Sequence, residues 1–234
     1  MFVGHYGPAV WDTQRGHGAP IVTLWQGFLA VQAVDYVTMI LGIFGVEGPI
    51  WRDGAPFLDI AWSHSLVGSL LISLAAGALF KALKPSAGWR GFSVVAALAF
   101  SHWLLDLVVH RPDLPILPGG TDYLGLGLWD YAWPSYLLEV GLLGTAIAWW
   151  LSVTRGPRWT VLASWVLVAV LAVLQFAVIT APTLAMRAGT LSEADVPRGA
   201  GQSVLGLVVF SLVALAIWAI ERKRQPRAVN TALP

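Results

Sequence analysis

A histidine and an aspartate four residues apart, in Ser101-His102-Trp103-Leu104-Leu105-Asp106, project from one face of a helix and can grip a single cation. His110 carries the stripe one turn further. Taken alone, the spacing is also that of an ordinary hydrogen-bonded His–Asp pair, so its meaning depends on what accompanies it. Three other groups with metal or proton chemistry stand in apolar surroundings: Asp35 in Ala33-Val34-Asp35-Tyr36, His64 in Ser63-His64-Ser65, and Glu139 in Leu138-Glu139-Val140. Each has a bland reading by itself. His64 suits a capping or interfacial histidine, Asp35 a partner for Gln32 or Thr38 on its own helix, and Glu139 a salt-bridge partner or proton carrier.

The elements that must position these residues are membrane spans. Of 234 residues, 57% are hydrophobic and 12% charged, and mean hydropathy is +0.70. Soluble domains are about a quarter charged, so the bilayer must act as solvent for much of this chain. Six stretches, 21–46, 60–82, 89–110, 131–153, 158–182 and 203–220, are long enough to cross a hydrocarbon core of about 30 Å. The expectation is an all-α, polytopic bundle of about six transmembrane helices. Residues 1–153 would form a four-span core carrying the site, and 154–234 two packing spans, with Gln175 their strongest polar group, and a basic tail. The N-terminus lacks the basic region and apolar run of a signal peptide, so the first span should persist in the mature protein. Most of the thirteen Trp fall near span ends, as an interfacial belt requires.

Charge sets the expected orientation. Lys81, Lys84 and Arg90, then Arg155 and Arg158, then Arg222, Lys223, Arg224 and Arg227 mark alternate loops and the tail as basic. The intervening loops mix sparse Arg with acids: Glu47, Arg52, Asp53 and Asp59; Arg111, Asp113, Asp122 and Asp130; Arg187, Glu193, Asp195 and Arg198. The pattern fits an inner-membrane protein with both termini cytoplasmic. At a rise of about 1.5 Å per residue, Asp35 lies about 16 Å from the outer end of its span, His64 and Asp106 about 6 Å, and His102 and Glu139 about 12 Å. An ionisable group at membrane depth is costly and asks for a reason. Several in the outer half of alternating helices point to one site. Imidazole with carboxylate, in a chain without cysteine, suits a divalent ion, zinc first and manganese or iron as alternatives, singly or as a pair. Such an ion supplies hydroxide at neutral pH, with Glu139 the expected general base. A net charge of +1 gives no electrostatic case for a nucleic-acid partner.

Ser63-His64-Ser65 followed by Ser101-His102-Trp103-Leu104-Leu105-Asp106 resembles the YdjM-like family of bacterial inner-membrane metal-dependent hydrolases. The likeness covers roughly residues 1–140. It implies metal ligands at His5, Asp35, His64, His102 and Asp106. The family's paired Asp-x-Asp is a single acid here, Asp35, so a second ion would lack one ligand. His5 falls on the cytoplasmic side of the expected topology. Either residues 2–13 re-enter the membrane, or His5 is no ligand, or the first span is misread.

Residues 111–130 hold three prolines and four glycines, the composition of an ordered cap rather than a slack connector. Arg111 there is a candidate clamp for an anionic head group, or else snorkels or pairs with Asp113. Asp113 and Asp59 are candidates to orient ligand histidines. The favoured function is hydrolysis of a lipid-like or amphiphilic ester or phosphoester near the outer leaflet. The alternative is an ion- or proton-coupled transporter using the same acids and histidines. A histidine-rich desaturase would need more than five histidines, and a scaffold with a structural metal is a further reading. Gly141 and Gly144 allow oligomer packing.

Overall fold

The computed structural model describes residues 1–10, 20–52, 54–196 and 199–227. Asp53 and Arg198, counted among the loop charges, lie outside these, as do 11–13 of the expected re-entrant segment. Among the described residues the protein is a helical bundle with three short two-stranded pairings. Five helices are long and apolar enough to cross a membrane, six spans if one bent pair counts as another. This is the all-α polytopic membrane architecture expected from composition.

The bent pair is the first correction to the expected spans. Residues 21–46 do not form one helix. They form α1 (Leu24–Val31) and α2 (Ala33–Ile43), bent by 50° at Gln32. The hairpin β1 (Gly48–Arg52) and β2 (Ala55–Asp59) follows. The second span, expected from 60, begins later, as α3 (Leu66–Leu83). Ser65 ends the turn before it by accepting the Gly68 amide at 3.0 Å, as an N-cap serine does. A β-carbon on Gly68 would lie 1.9 Å from the Trp62 carbonyl, which is why this tight entry uses glycine. His64 therefore sits in the turn, not on the helix.

The helix α4 (Gly88–Val109) follows, then the cap, in which β3 (Leu114–Pro115) pairs with β4 (Tyr123–Leu124). The cap is ordered through backbone bonds. Val67 donates to Ile116, Gly119 to Ala61, Leu126 to Leu107 and Gly127 to His110. Gly125, at φ +151, passes so close to the Arg111 carbonyl that a β-carbon would lie 2.1 Å from it. The chain continues through α5 (Ala132–Val153), β5 (Thr154–Arg155) and α6 (Arg158–Gln175). A π-helical turn, Phe176–Thr180, leads into α7 (Ala181–Arg187), where Pro182 has no N–H to offer the preceding turn. Finally α8 (Ala200–Glu221) packs along α1 and α2, and β6 (Gln225–Pro226) pairs with β5.

Contacts between loops gather the basic segments at one end. Lys84 Nζ bonds the Ile21 carbonyl at 2.9 Å, and Arg224 donates to Thr154 and Thr160. Glu221 accepts the Leu24 and Trp25 amides at 2.7 and 2.9 Å, capping α1 from α8. The hairpin and the cap belong to the opposite helix ends.

Residues 1–10 are folded into the bundle. Two short 3-10 segments, Val3–Tyr6 and Pro8–Val10, pack against α1, α4 and α5, and His5 is fully buried. Of the alternatives for His5, a segment folded back into the bundle is the one that residues 1–10 follow, with Met1 buried against Asp106. Apolar contacts bring the segment in, among them Tyr6 stacked on Phe28 at 4.5 Å. Of the two packing spans, α6 contributes Gln175, whose Oε1 lies 3.4 Å from the Val3 amide.

The Ala9 carbonyl runs against Gly27, where a β-carbon would approach it to 2.7 Å. Gly27→Ala must push the N-terminal segment off α1 and is expected to destabilise by about 1–3 kcal/mol. Thermal unfolding in detergent checks this; an unchanged transition would contradict the packing of residues 1–10.

Candidate metal centre

The chain break at Gln32 shapes the centre from two sides. Val31 is the last residue of α1, so its carbonyl has no following helical turn to claim it. It accepts His102 Nδ1 at 2.7 Å instead. A carbonyl only accepts, so Nδ1 carries a hydrogen, and Nε2 faces the interior, free to bind an ion when the ring is neutral. On the other side of the break, α2 begins a new N-terminus, and Asp35 occupies its first turn, where the helix dipole favours an anion.

His64 is set the same way by different partners. Its Nδ1 lies 2.9 Å from Ser63 Oγ and 3.1 Å from Thr38 Oγ1, leaving Nε2 facing inward. The two inward-facing nitrogens, His64 Nε2 and His102 Nε2, stand 3.4 Å apart. Asp106 Oδ2 lies 3.4 Å from the first and 3.1 Å from the second and makes no hydrogen bond of its own. Asp35 Oδ1 lies 3.4 and 3.5 Å from the same two nitrogens. Imidazole and carboxylate atoms thus converge in a buried space, an arrangement that could hold a cation. Vertices of a tetrahedron around zinc, with metal–nitrogen distances of about 2.0–2.1 Å, are about 3.3 Å apart. The donors present fit that spacing.

His5 joins from the N-terminal segment. Its ring stacks on His102 with centroids 3.5 Å apart, and its Nε2 is 3.2 Å from Asp106 Oδ1. Neither ring nitrogen makes a hydrogen bond, although the side chain is wholly buried. The Met1 amino group contacts the same carboxylate oxygen. Two overlapping sets, His64–His102–Asp106 and His5–Asp35–His102, have donor atoms close enough to hold an ion. All five expected ligand residues are therefore brought together, His5 included.

His110, outside the expected ligand set, also belongs here. Its Nδ1 bonds Asp113 Oδ1 at 2.8 Å, and its Nε2 points to Asp106 Oδ1 at 3.5 Å. Asp113 thus orients a histidine, whereas Asp59 is exposed at the end of β2. His110 was visible in the sequence as the next turn of the His102–Asp106 stripe. The roles of Glu47, Ser63 and Thr38 were not: Ser63 stood out only as part of Ser63-His64-Ser65 and Thr38 only as a partner for Asp35, and no spacing links Glu47 or Thr38 to His64.

The two expected catalytic residues are engaged otherwise. Glu139 is fully buried, but its carboxylate accepts the Phe2 amide at 2.6 Å, the Gly4 amide at 3.4 Å and Trp129 Nε1 at 3.2 Å. The structure gives it the work of holding the N-terminal segment rather than of facing the imidazoles. Arg111 Nε bonds Asp130 Oδ1 at 2.6 Å near the surface, so its partner is Asp130 and not Asp113. In comparisons with protein-family models, curated proteins and solved structures, nothing matches the chain.

Glu139→Ala removes both oxygens that accept the Phe2, Gly4 and Trp129 N–H groups, leaving these buried donors without partners. Each such group costs about 1–3 kcal/mol. The variant is expected to melt earlier and to exchange amide hydrogens faster at Phe2 and Gly4. Wild-type exchange at those residues would contradict the holding role.

Proposed function

We propose that this protein is a membrane-embedded, metal-dependent hydrolase of a lipid-like or amphiphilic ester or phosphoester. The observation that carries the reading is the triangle of His64 Nε2, His102 Nε2 and Asp106 Oδ2, with edges of 3.1 to 3.4 Å. Three protein donors of this kind leave a further position open, as catalytic zinc sites do and closed structural sites do not. When bound, a divalent ion in such a set acidifies a water and furnishes a nucleophile at neutral pH.

The remaining roles fall to the chain. Asp35 has a side chain 15% exposed, against 4% or less for His64, His102 and Asp106. It is the acid that solvent or substrate can reach, so it takes the proton from the attacking water, the role first expected of Glu139. Arg111 sits outside the centre beside the cap, where its charge suits an anionic head group. Zinc is the favoured ion, with manganese and iron as alternatives. Lys and Arg gathered at the far end support a cytoplasmic placement of that end, and with it a centre toward the outer leaflet of an inner membrane. The resemblance to YdjM-like proteins supports the same reading.

A second reading, an ion transporter, is favoured by one observation: the first span is broken at Gln32 beside the acids and imidazoles, as spans that carry ions often are.

Elemental analysis of protein purified in detergent is expected to give stoichiometric metal, lost in His102→Ala and Asp106→Ala. Asp35→Asn should keep its metal while turnover of lipid-like esters falls by about 100-fold or more, and chelation should abolish turnover. Metal-free wild type would sink the hydrolase. Metal with no hydrolysis, but with metal flux into liposomes, would replace it with the transporter.

A further inference from the structure

Glu47 is buried and follows the end of α2, and three hydrogen bonds converge on its carboxylate. Its Oε1 accepts the Trp62 and Ser63 amides at 2.6 and 2.8 Å, and its Oε2 accepts the Ser63 hydroxyl at 2.6 Å. The amides alone would fix the turn before α3. The hydroxyl does something more, because Ser63 Oγ is also 2.9 Å from His64 Nδ1.

We infer that Glu47 is a positioning residue for the metal centre, acting through Ser63 to fix which nitrogen of His64 carries the proton. An ionised carboxylate can only accept, so it draws the Ser63 hydrogen to itself. Ser63 Oγ then offers only lone pairs to His64. Thr38 reinforces this: its hydroxyl lies 3.1 Å from the Val34 carbonyl and 2.7 Å from Ser63 Oγ, both acceptors for its one hydrogen. Two oxygens without a hydrogen to give therefore face His64 Nδ1, and Nδ1 must supply the hydrogen. Nε2 is left bare, the form that binds metal. Histidine ligands are commonly held by such outer partners; here the carboxylate acts at one remove, across a hydroxyl.

The direction of the relay is reversible by one atom. In Glu47→Gln the amide oxygen can still accept the Trp62 and Ser63 amides, while the NH2 group faces Ser63 Oγ and donates. The Ser63 hydrogen is then released toward His64 Nδ1, and the imidazole proton moves to Nε2, where it blocks an ion. Ser63→Ala removes the relay but leaves Thr38 Oγ1 beside Nδ1, so its effect should be smaller.

This inference rests on the metal-centre reading, and two measurements separate their failures. In the full-length protein in detergent, zinc affinity is measured by competition with a chelator. Glu47→Gln is expected to weaken it by about 10–100-fold, and Ser63→Ala by less. Nitrogen-15 NMR of the histidines in metal-free protein should show His64 protonated on Nδ1 in the wild type and on Nε2 in Glu47→Gln. If both variants bind zinc as the wild type does, or if the His64 proton stays on Nδ1 in Glu47→Gln, the relay is overturned. Zinc binding absent from the wild type would remove the metal centre, and the NMR comparison would still decide the relay. Should Glu47→Gln fold poorly, Ser63→Ala carries the zinc measurement, and wild-type affinity in it overturns the relay.

Discussion

A carboxylate placed among apolar helices must be met by positive charge or by hydrogen-bond donors, because removing it from water is otherwise too costly. Asp106 is fully buried on α4, and much of the bundle is arranged around it. His5, His64, His102 and His110 all direct Nε2 at one of its two oxygens within 3.5 Å. These residues come from the N-terminal segment, the turn before α3, and two positions of α4 and its end. The Met1 amino group meets Oδ1, while Oδ2, which faces His64 and His102, makes no hydrogen bond. A cation held between Oδ2 and those two imidazoles would meet the rest of the charge.

The commitment of those other nitrogens is where fold and chemistry meet. His102 depends on the carbonyl that ends α1, His64 on hydroxyls from α2 and its own turn, and His110 on Asp113 in the cap. Apart from Thr38 in the middle of α2, each anchor comes from a place where regular structure stops. Helix interiors satisfy their own backbone groups, so a site that needs spare acceptors is built at breaks, turns and caps. The bend at Gln32 does this most economically, since one interruption yields both an acceptor for His102 and a helix start for Asp35.

Much of the membrane architecture was legible because it follows from long apolar runs. The helices α4, α5 and α8 lie within a few residues of their expected limits. The His102–Asp106 pair was legible for the same reason, since helical periodicity puts both on one face. The bend at Gln32 was not, because neither proline nor glycine stands at it and the run 24–43 is hydrophobic enough, even with Gln26, Gln32 and Asp35, to read as one span. His64 was placed on a helix because nothing in composition reveals that Ser65 caps it. The N-terminal segment was the hardest to foresee. Its burial depends on partners far along the chain, Glu139 and Gln175, and no local pattern announces a contact of that range. Glu139 was legible as an important intramembrane acid, but its partners are backbone amides, which sequence spacing does not show.

The helix α1 has only eight residues, too few to be stable by itself, and both of its ends are finished by other parts of the chain. Its first amides are received by Glu221 and its last carbonyl by His102. Glu221 closes α8, so ribosomal synthesis must run through α8 before α1 has its partner. Early in biogenesis, residues 24–43 would enter the bilayer with nothing to hold the bend. Assembly of the centre is thus coupled to the arrival of α8, and a nascent chain that stops short of it would lack the bend that brings His102 and Asp35 together.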